Sequence, residues 1–397
     1  MLVYVLSALV AGSLVYCALT IAAARSYLAT RPAQASEFPP ISILTPLAGA
    51  DLGLEANLRS SFLQKYPNFE IVLAVRHDGD PAIPVVRNLM AEFPRVPARL
   101  IVTGEPTCPN AKVYSLARMT EAARHDLLVM NDSDIRTRPD MLATIAAEFA
   151  DPAVALATCP YCAIAGKGWP SRLEALGMNT QFMAGVFTAR MIEGVKFALG
   201  PSAVVRRSAL ERIGGWPALD SYLAEDFVLG KRIAEEGYGA ILSSVRVEHH
   251  IGDSSAADNL AHRLRWVRST RRSRPKGYVG ELFTNPLPLA LLLTGVDFHF
   301  WPWLAASAVL RGISAWAVAR WVLRDAAFWR LCWAIPVQDL IAFLVWIAGF
   351  FGNRVTWRGR TYYLHRDGRF ELVPMVGQPV LPSAGRAQTT RSSAPPE

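Results

Sequence analysis

Three acid-rich stretches of this 397-residue chain carry the side chains best suited to chemistry. In the first, Val75 runs into Arg76-His77-Asp78-Gly79-Asp80-Pro81. In the second, the apolar run Leu127–Met130 leads into Asn131-Asp132-Ser133-Asp134. In the third, Glu225-Asp226 follows Tyr222-Leu223-Ala224 near the start of a helical pattern. Side chains alternate along an extended segment, so Asp132 and Asp134 fall on one face. Oxygen ligands at that spacing suit a hard cation, Mg2+ or Mn2+, which also binds a diphosphate and stabilises charge on a leaving phosphate. Asp-x-Asp triplets occur in solvated turns and helix caps as well. Here the triplet directly follows a hydrophobic strand pattern, and that position favours metal and diphosphate.

The other two stretches keep a plainer alternative beside the chemical one. Asp78 or Asp80 could accept hydrogen bonds from the base or ribose of a nucleotide, or could form an Asp-Gly turn that opens the helix after Pro81. Asp226 is the candidate general base for deprotonating an acceptor hydroxyl. Two acids there would also complement a helix N-terminus without any catalysis.

Basic groups lie within the same reach. Lys112, in Asn110-Ala-Lys-Val-Tyr-Ser-Leu116, opens a helix where it could meet a diphosphate or stay solvated. Arg265-Trp266 sits in the basic stretch Asp258–Arg274 with His262, Arg263, Arg268, Arg271 and Arg272. A guanidinium matches phosphate oxygens bidentately, and an indole offers an apolar plane to a sugar or lipid. An interfacial helix binding anionic headgroups would look the same. His249 and His250 point apart in an extended chain, so at most one faces the acids, and neither is counted as a metal ligand.

Those positions imply a scaffold. Strand-like runs at Ile41–Leu44, Phe69–Val75, Arg99–Val102, Asp126–Met130 and Ala153–Thr158 alternate with helical spacing at Leu54–Gln64, Ile83–Glu92, Val113–Arg124 and Met141–Phe149. Such alternation predicts a mostly parallel sheet covered on both faces, with ligands beyond the carboxyl ends of its strands.

The ends of the chain read differently. Leu2–Ala24 carries no charge and is long enough to cross a bilayer. It lacks a basic region ahead of the apolar run, which argues against a cleaved signal. Arg25 and Arg31 follow it and place the next domain in the cytoplasm. Three further apolar runs lie at Leu282–Val296, Trp301–Leu323 and Cys332–Phe351, followed by a basic tail. Both flanks on one side require an even number of crossings, so one run should be re-entrant or interfacial, possible carriers being those with Asp297 or Asp339. The expected division is a membrane helix over 1–30, a linker over 31–40 and a catalytic domain over 41–255. A basic interfacial segment over 256–281, membrane helices over 282–352 and a tail over 353–397, disordered at its end, complete it.

Composition agrees with that plan. Hydrophobic residues make up 52% of the chain, and the net charge is +8. A basic stripe beside membrane segments points to a lipid surface rather than nucleic acid. Cys159-Pro-Tyr-Cys162 copies a redox dithiol spacing, but its surroundings favour small buried residues instead.

Taken together, PPISILTPLAGAD, YPNFEIVLAVRHDGDPAI, NAKVYSL, LLVMNDSDIR, GPSAVVRRSALERIGG, YLAEDFVLG, HRLRWVR and TWRGRTYYL resemble the ceramide glucosyltransferase family of inverting GT-A glycosyltransferases. The likeness is greatest to a bacterial branch associated with hopanoid biosynthesis, and it covers roughly residues 38–365. It implies an α/β fold: a GT-A Rossmann-like nucleotide-sugar-binding domain with one N-terminal and several C-terminal membrane helices. It also implies that Asp132 matches the second family aspartate, Asp134 completes the metal triplet, Asp226 is the base, and Arg265 and Trp266 form the Arg-Trp pair. His262 stands where the family has Gln or Arg, and His77 where an aspartate is expected, leaving Asp78 or Asp80 to serve. The implied reaction uses a UDP-sugar donor with Mg2+ or Mn2+ and a lipid acceptor at a bacterial inner membrane. N-acetylglucosamine transfer to a hopanoid such as bacteriohopanetetrol is the implied chemistry. Glucose transfer to ceramide, a processive polysaccharide synthase and a non-catalytic lipid or sugar-nucleotide scaffold are the alternatives.

Overall fold

The computed structural model describes residues 1–30, 37–357 and 359–373. Most of the linker expectation (31–36) and the disordered-end expectation (374–397) therefore fall outside the described residues.

Helix α1 (Leu2–Ala29) opens the chain and is followed by β1 (Ile41–Pro46), α2 (Leu54–Phe62), β2 (Phe69–Val75), α3 (Ala82–Glu92), β3 (Ala98–Val102) and α4 (Ala111–Ala122). Next come β4 (Leu127–Asn131), β5 (Ile135–Arg136), α5 (Met141–Glu148), β6 (Val154–Thr158) and β7 (Tyr161–Ile164). The strands and helices expected from hydrophobic spacing are thus present, within one to two residues at most ends.

Two helices not expected from spacing follow, α6 (Trp169–Gly177) and α7 (Met183–Glu193), and then β8 (Ser202–Arg206), α8 (Arg207–Arg212), α9 (Glu225–Glu235), β9 (Gly239–Leu242) and β10 (Val247–His250). The main sheet runs β3-β2-β1-β4-β8-β6-β9. β8 alone is antiparallel to its neighbours, pairing with β4 and β6. The run Ser202–Arg206 is short and sits between a Gly-Pro pair and a helix, so its strand character was hidden in the sequence. A second small sheet, β5-β10-β7, lies beside the acid triplet.

Burial explains the order. Ile41, Ile43, Leu44, Val72, Leu73 and Val129 are essentially inaccessible to solvent. Each such side chain contributes about 1.5–3 kcal/mol by leaving water. Central strands covered on both faces read as continuous apolar runs, which is why these were legible.

The C-terminal helical part begins with α10 (Ala256–Ser273), α11 (Pro275–Gly280), α12 (Pro286–Val296) and α13 (Trp301–Trp316), and continues through α14 (Phe328–Leu331) to α15 (Ile335–Gly349). Among the described residues, Leu2–Ala29 and Phe328–Gly349 are each long and apolar enough to cross a membrane. Pro275–Thr284 and Pro286–Val296 together form a pair bent by 62°, which could be a broken span or a re-entrant loop. The bend falls at Asn285, just before Pro286, whose ring cannot continue the helix hydrogen bonding. Of the three C-terminal apolar runs, one therefore qualifies as a straight span and one as half of a bent pair. Trp301–Leu323 is helical but carries Arg311, which is buried and bound bidentately by Asp339 of α15 at 2.8 and 2.9 Å. That pairing removes two charges from the apolar surface.

The N-terminal helix is fused to the domain. Ala23, Ala24 and Tyr27 join the main core, and the Tyr27 hydroxyl donates to the Ser243 carbonyl at 2.7 Å.

The last described element is one the sequence did not announce. β11 (Arg354–Trp357), β12 (Arg360–Leu364) and β13 (Phe370–Leu372) form an antiparallel sheet, where a plain basic tail was expected. The basic stripe of α10 serves it. Arg268 donates to the carbonyls of Phe351 and Arg354 at 3.1 and 2.7 Å, and Arg271 to those of Phe350 and Gly352. These guanidinium groups thus cap the carbonyl end of α15, where cations are favoured.

Candidate active site

The carboxyl ends of β1, β2 and β4 meet the start of α4, the start of α9 and one face of α10 around a single cavity of about 2100 Å³. Asp80, Lys112, Asp132, Asp134, Glu225, Asp226, Arg265 and Trp266 all line it. Asp78 does not; it stands exposed on the loop after β2. The cavity also reaches Gln338, Val345 and Trp346 on α15, so it runs from the acid cluster to the membrane-facing helices. Its volume exceeds the roughly 300–1,000 Å³ of a typical small-ligand pocket.

Lys112 is the hub. Asn110 caps α4 by accepting from the backbone N–H groups of Lys112 and Val113, which fixes the direction in which Lys112 leaves the helix. Its ammonium lies 2.6 Å from Asp132 Oδ1 and 3.7 Å from Glu225 Oε1, and donates to the Gly200 carbonyl at 3.1 Å. Burial alone would lower its pKa, but Asp132, Glu225 and Asp226 together hold it above the ordinary lysine range. Sequence spacing left this lysine balanced between a ligand role and solvation, because its partners come from positions far along the chain.

The acid triplet splits into two environments. Asp132 is pushed upward by burial and by its neighbour Asp134, against the pull of Lys112. Asp134 feels burial too, but His249 and Lys112 bring it below the usual carboxylate range. His249 Nε2 sits 3.1 Å from Asp134 Oδ2, whereas His250 turns to Glu248 at 2.9 Å. The two histidines do point apart, and His249, like His250 not counted as a ligand, faces the acids. The second oxygen, Asp134 Oδ1, is buried with no hydrogen-bond partner among the described residues. A buried carboxylate oxygen left bare is costly unless a ligand completes it.

Glu225 and Asp226 begin α9. Glu225 is buried, accepts from Asn110 Nδ2 at 3.0 Å, and has its pKa pushed up to about 7 by burial and by Asp226, against Lys112. Asp226 is likewise raised by burial, opposed by Lys112 and by backbone N–H groups including that of Gly200. A methyl group at Gly200 would lie 3.0 Å from Asp226 Oδ2, so the glycine lets this strand end approach the carboxylate.

Asp80 also holds the backbone in place. Its carboxylate accepts from the backbone N–H groups of Gly49 and Ala82 at 2.9–3.2 Å. These bonds clasp the turn that opens α3, while the Asp80 side chain still lines the cavity.

On α10, the Arg265 guanidinium lies 5.7 Å from the Trp357 ring centroid, and Trp266 packs against Phe182 and His262. His262, the departure from the family pattern, has a partner in Glu174 at 2.7 Å. Cys159 and Cys162 are both buried free thiols whose pKa values burial pushes up to about 12, which removes them from thiolate chemistry.

Comparison with known proteins follows the same outline. The family model for glycosyl transferase family 21 matches residues 4–370. Ceramide glucosyltransferase 1 of Caenorhabditis elegans is 31% identical over 208 residues, covering 52% of this chain and 44% of that protein. Ceramide glucosyltransferase 3 of the same animal is 27% identical over 65% of this chain and 56% of its own length. The chain thus spans about half the length of these curated relatives. The ceramide glucosyltransferase of Gibberella zeae is 21% identical over 84% of this chain and 85% of its own length. Among solved structures, the mannosyltransferase PcManGT from Pyrobaculum calidifontis, in complex with GDP-Man and Mn2+, superposes with a TM-score of 0.55 at 19% identity. The match covers 88% of this chain and 99% of that one, and it shows a shared GT-A-like fold. With a family match running almost from end to end, the chain belongs to glycosyl transferase family 21.

Proposed function

We propose that the protein is a membrane-bound inverting glycosyltransferase that moves a sugar from a UDP-sugar to a lipid hydroxyl. UDP-N-acetylglucosamine is the proposed donor, and a polyhydroxylated hopanoid such as bacteriohopanetetrol the proposed acceptor. The observation that carries this reading is one cavity joining Asp132, Asp134, Lys112 and Asp226 to Arg265, Trp266 and the membrane-facing α15. A soluble acceptor would not require that last wall.

In this reading residues 41–255 form the catalytic domain, 256–281 the interfacial segment and 282–352 the membrane part. The catalytic side faces the cytoplasm of a bacterial inner membrane, because Arg25 follows the N-terminal span. Mg2+ or Mn2+ fits the bare buried oxygen of Asp134, with Asp132 as the second carboxylate. The described residues hold no group of three or more His, Cys, Asp or Glu that would cage an ion, so diphosphate oxygens and water would complete its shell. When bound, the ion supplies charge stabilisation to the leaving diphosphate. The mannosyltransferase of like fold is in complex with a nucleotide sugar and Mn2+, which supports the assignment.

The chain's own groups do the rest. Lys112 exchanges Asp132 for the diphosphate, and Arg265 binds phosphate oxygens from the α10 side. Asp226 accepts the acceptor hydroxyl's proton as that oxygen bonds to the anomeric carbon and the bond to the diphosphate breaks, giving a β-linked product. A raised carboxyl is a better base than a free one near neutral pH. Glu225 holds Lys112.

The names of the curated relatives favour a second reading, glucose transfer from UDP-glucose to ceramide. Mass spectrometry of lipids decides between them, with full-length protein offered UDP-N-acetylglucosamine or UDP-glucose and bacteriohopanetetrol or ceramide. The first reading predicts one N-acetylhexosamine per hopanoid. No mass shift with any pair contradicts both.

A further inference from the structure

The segment that leads into Asp226 has little of its own to hold it. The N-cap of α9 is Ala224, which offers no side-chain hydrogen bond to the first turn. An uncapped helix start frays unless tertiary contacts fix it.

The C-terminal sheet supplies part of those contacts, beside Asn110, whose N–H donates to the Asp220 carbonyl at 3.0 Å and whose Nδ2 donates to the Tyr222 carbonyl at 2.9 Å. Leu223 is buried in a cluster with Val355, Tyr362, Leu364 and Phe370. The Phe370 backbone N–H donates to the Ser221 carbonyl at 2.9 Å, and Tyr222 forms an antiparallel bridge with Arg369. The Arg369 guanidinium lies 5.6 Å from the centroid of the Tyr222 ring. The same sheet is fastened to α10, through Arg268 on the Arg354 carbonyl and Arg265 over Trp357. Trp357, Thr361, Tyr362 and Leu372 line the cavity beside Asp226 and Arg265.

We propose that β11–β13 is a positioning element. By seating Leu223 on Phe370 and Trp357 against Arg265, it fixes the base-bearing turn relative to the Arg-Trp helix. Phe370 is the positioning residue; it is buried and does not line the cavity. The proposal rests on the reading above only in taking Asp226 as the base. A displacement of the order of 1 Å at a reacting group lowers turnover about 100-fold, so loosening the seat should act on kcat while leaving donor binding in place.

The test uses the full-length protein in detergent, as wild type, Phe370→Ala and Phe370→Leu. Hydrogen exchange is followed over residues 222–228, and Kd for UDP with Mn2+, kcat and donor KM are measured. In Phe370→Ala, exchange in that segment should quicken by about tenfold or more. With it, kcat should fall by about 10–100-fold while Kd and KM stay within about twofold. Phe370→Leu should recover most of both. Should Phe370→Ala not fold, Arg369→Ala, which removes an exposed stacking group, should move exchange and kcat in the same direction by a smaller factor. Unchanged exchange at 222–228, or loosening spread equally over β1–β4, overturns the proposal. If wild type transfers nothing, the exchange measurement still decides the sheet's role, and only the enzymatic reading fails.

Discussion

Replacing Gly230 by alanine offers a demanding check on how the base is placed. Gly230 lies one turn after Asp226 on the same face of α9. A Cβ built there would sit 2.1 Å from the Phe197 carbonyl carbon, 2.3 Å from its Cα and 2.4 Å from the Ala198 nitrogen. These are backbone atoms and cannot swing aside. Restoring ordinary carbon–carbon separation requires α9 to retreat by roughly 1.5 Å at that crossing. The retreat strains the bond from the Ala198 N–H to the Asp226 carbonyl, now 3.3 Å, and carries the carboxylate with it. Overpacking of this kind costs about 1–3 kcal/mol, partly offset by about 1 kcal/mol of helix propensity gained over glycine. The fold should survive with a modestly lower melting temperature. Turnover should not: a shift of that size at the base lowers kcat about 100-fold. The assay is single-sugar transfer at saturating donor, beside a thermal melt of the same preparation. If Gly230→Ala turns over within about twofold of wild type with its melting temperature unchanged, the packing account of Asp226 is wrong.

Three further outcomes follow from the cluster. Asp226→Asn should lower kcat by about 10²–10⁴-fold, with calorimetry giving an unchanged Kd for UDP and Mn2+; an equal loss of binding would make it a ligand rather than a base. Lys112→Met leaves Asp132 and Glu225 without their shared cation, and should destabilise the protein by about 3 kcal/mol in chemical denaturation, an unchanged midpoint being the contrary result. The folded protein retains the Glu225 proton up to about pH 7, whereas the ordinary glutamate value is 4.5. Between those values the folded state binds more protons than the unfolded chain, so this group's contribution makes stability fall as pH rises through that window. Melting curves of Glu225→Gln against wild type should show the fall flattened, and an identical pH profile would remove Glu225 as its source.

Much of the scaffold was written in local patterns. β2 and β4 are buried on both faces, so FEIVLAV and LLVM announce themselves, and the acids that follow them stand where an α/β sheet binds ligands. Asp132 and Asp134 could therefore be chosen before any coordinates, whereas Asp226, at a helix start, was singled out by the family resemblance. What failed to show was whatever depends on distant partners. The hub role of Lys112 needs Asp132 and Glu225 to arrive from elsewhere, and the use of Asp80 as a backbone clasp needs Gly49. The facing of His249 toward Asp134 depends on β10 lying beside β5. β11–β13 escaped because charges interrupt its apolar positions. Val355, Tyr362, Leu364 and Phe370 form a face only once the three strands pair and meet Leu223. The arginines of α10 looked like a headgroup-binding stripe for a related reason, since their acceptors are carbonyls some eighty residues away.

Everything chemical here depends on a divalent ion and a nucleotide diphosphate meeting at the bare oxygen of Asp134. Anomalous scattering at the manganese edge, from crystals of the full-length protein grown with UDP and Mn2+, addresses this directly. The expected result is a manganese peak ligated by Asp134 and by a phosphate oxygen of UDP, with Lys112 turned from Asp132 toward the diphosphate. A peak remote from Asp132 and Asp134, or UDP bound in the cavity with no manganese beside it, would contradict the account.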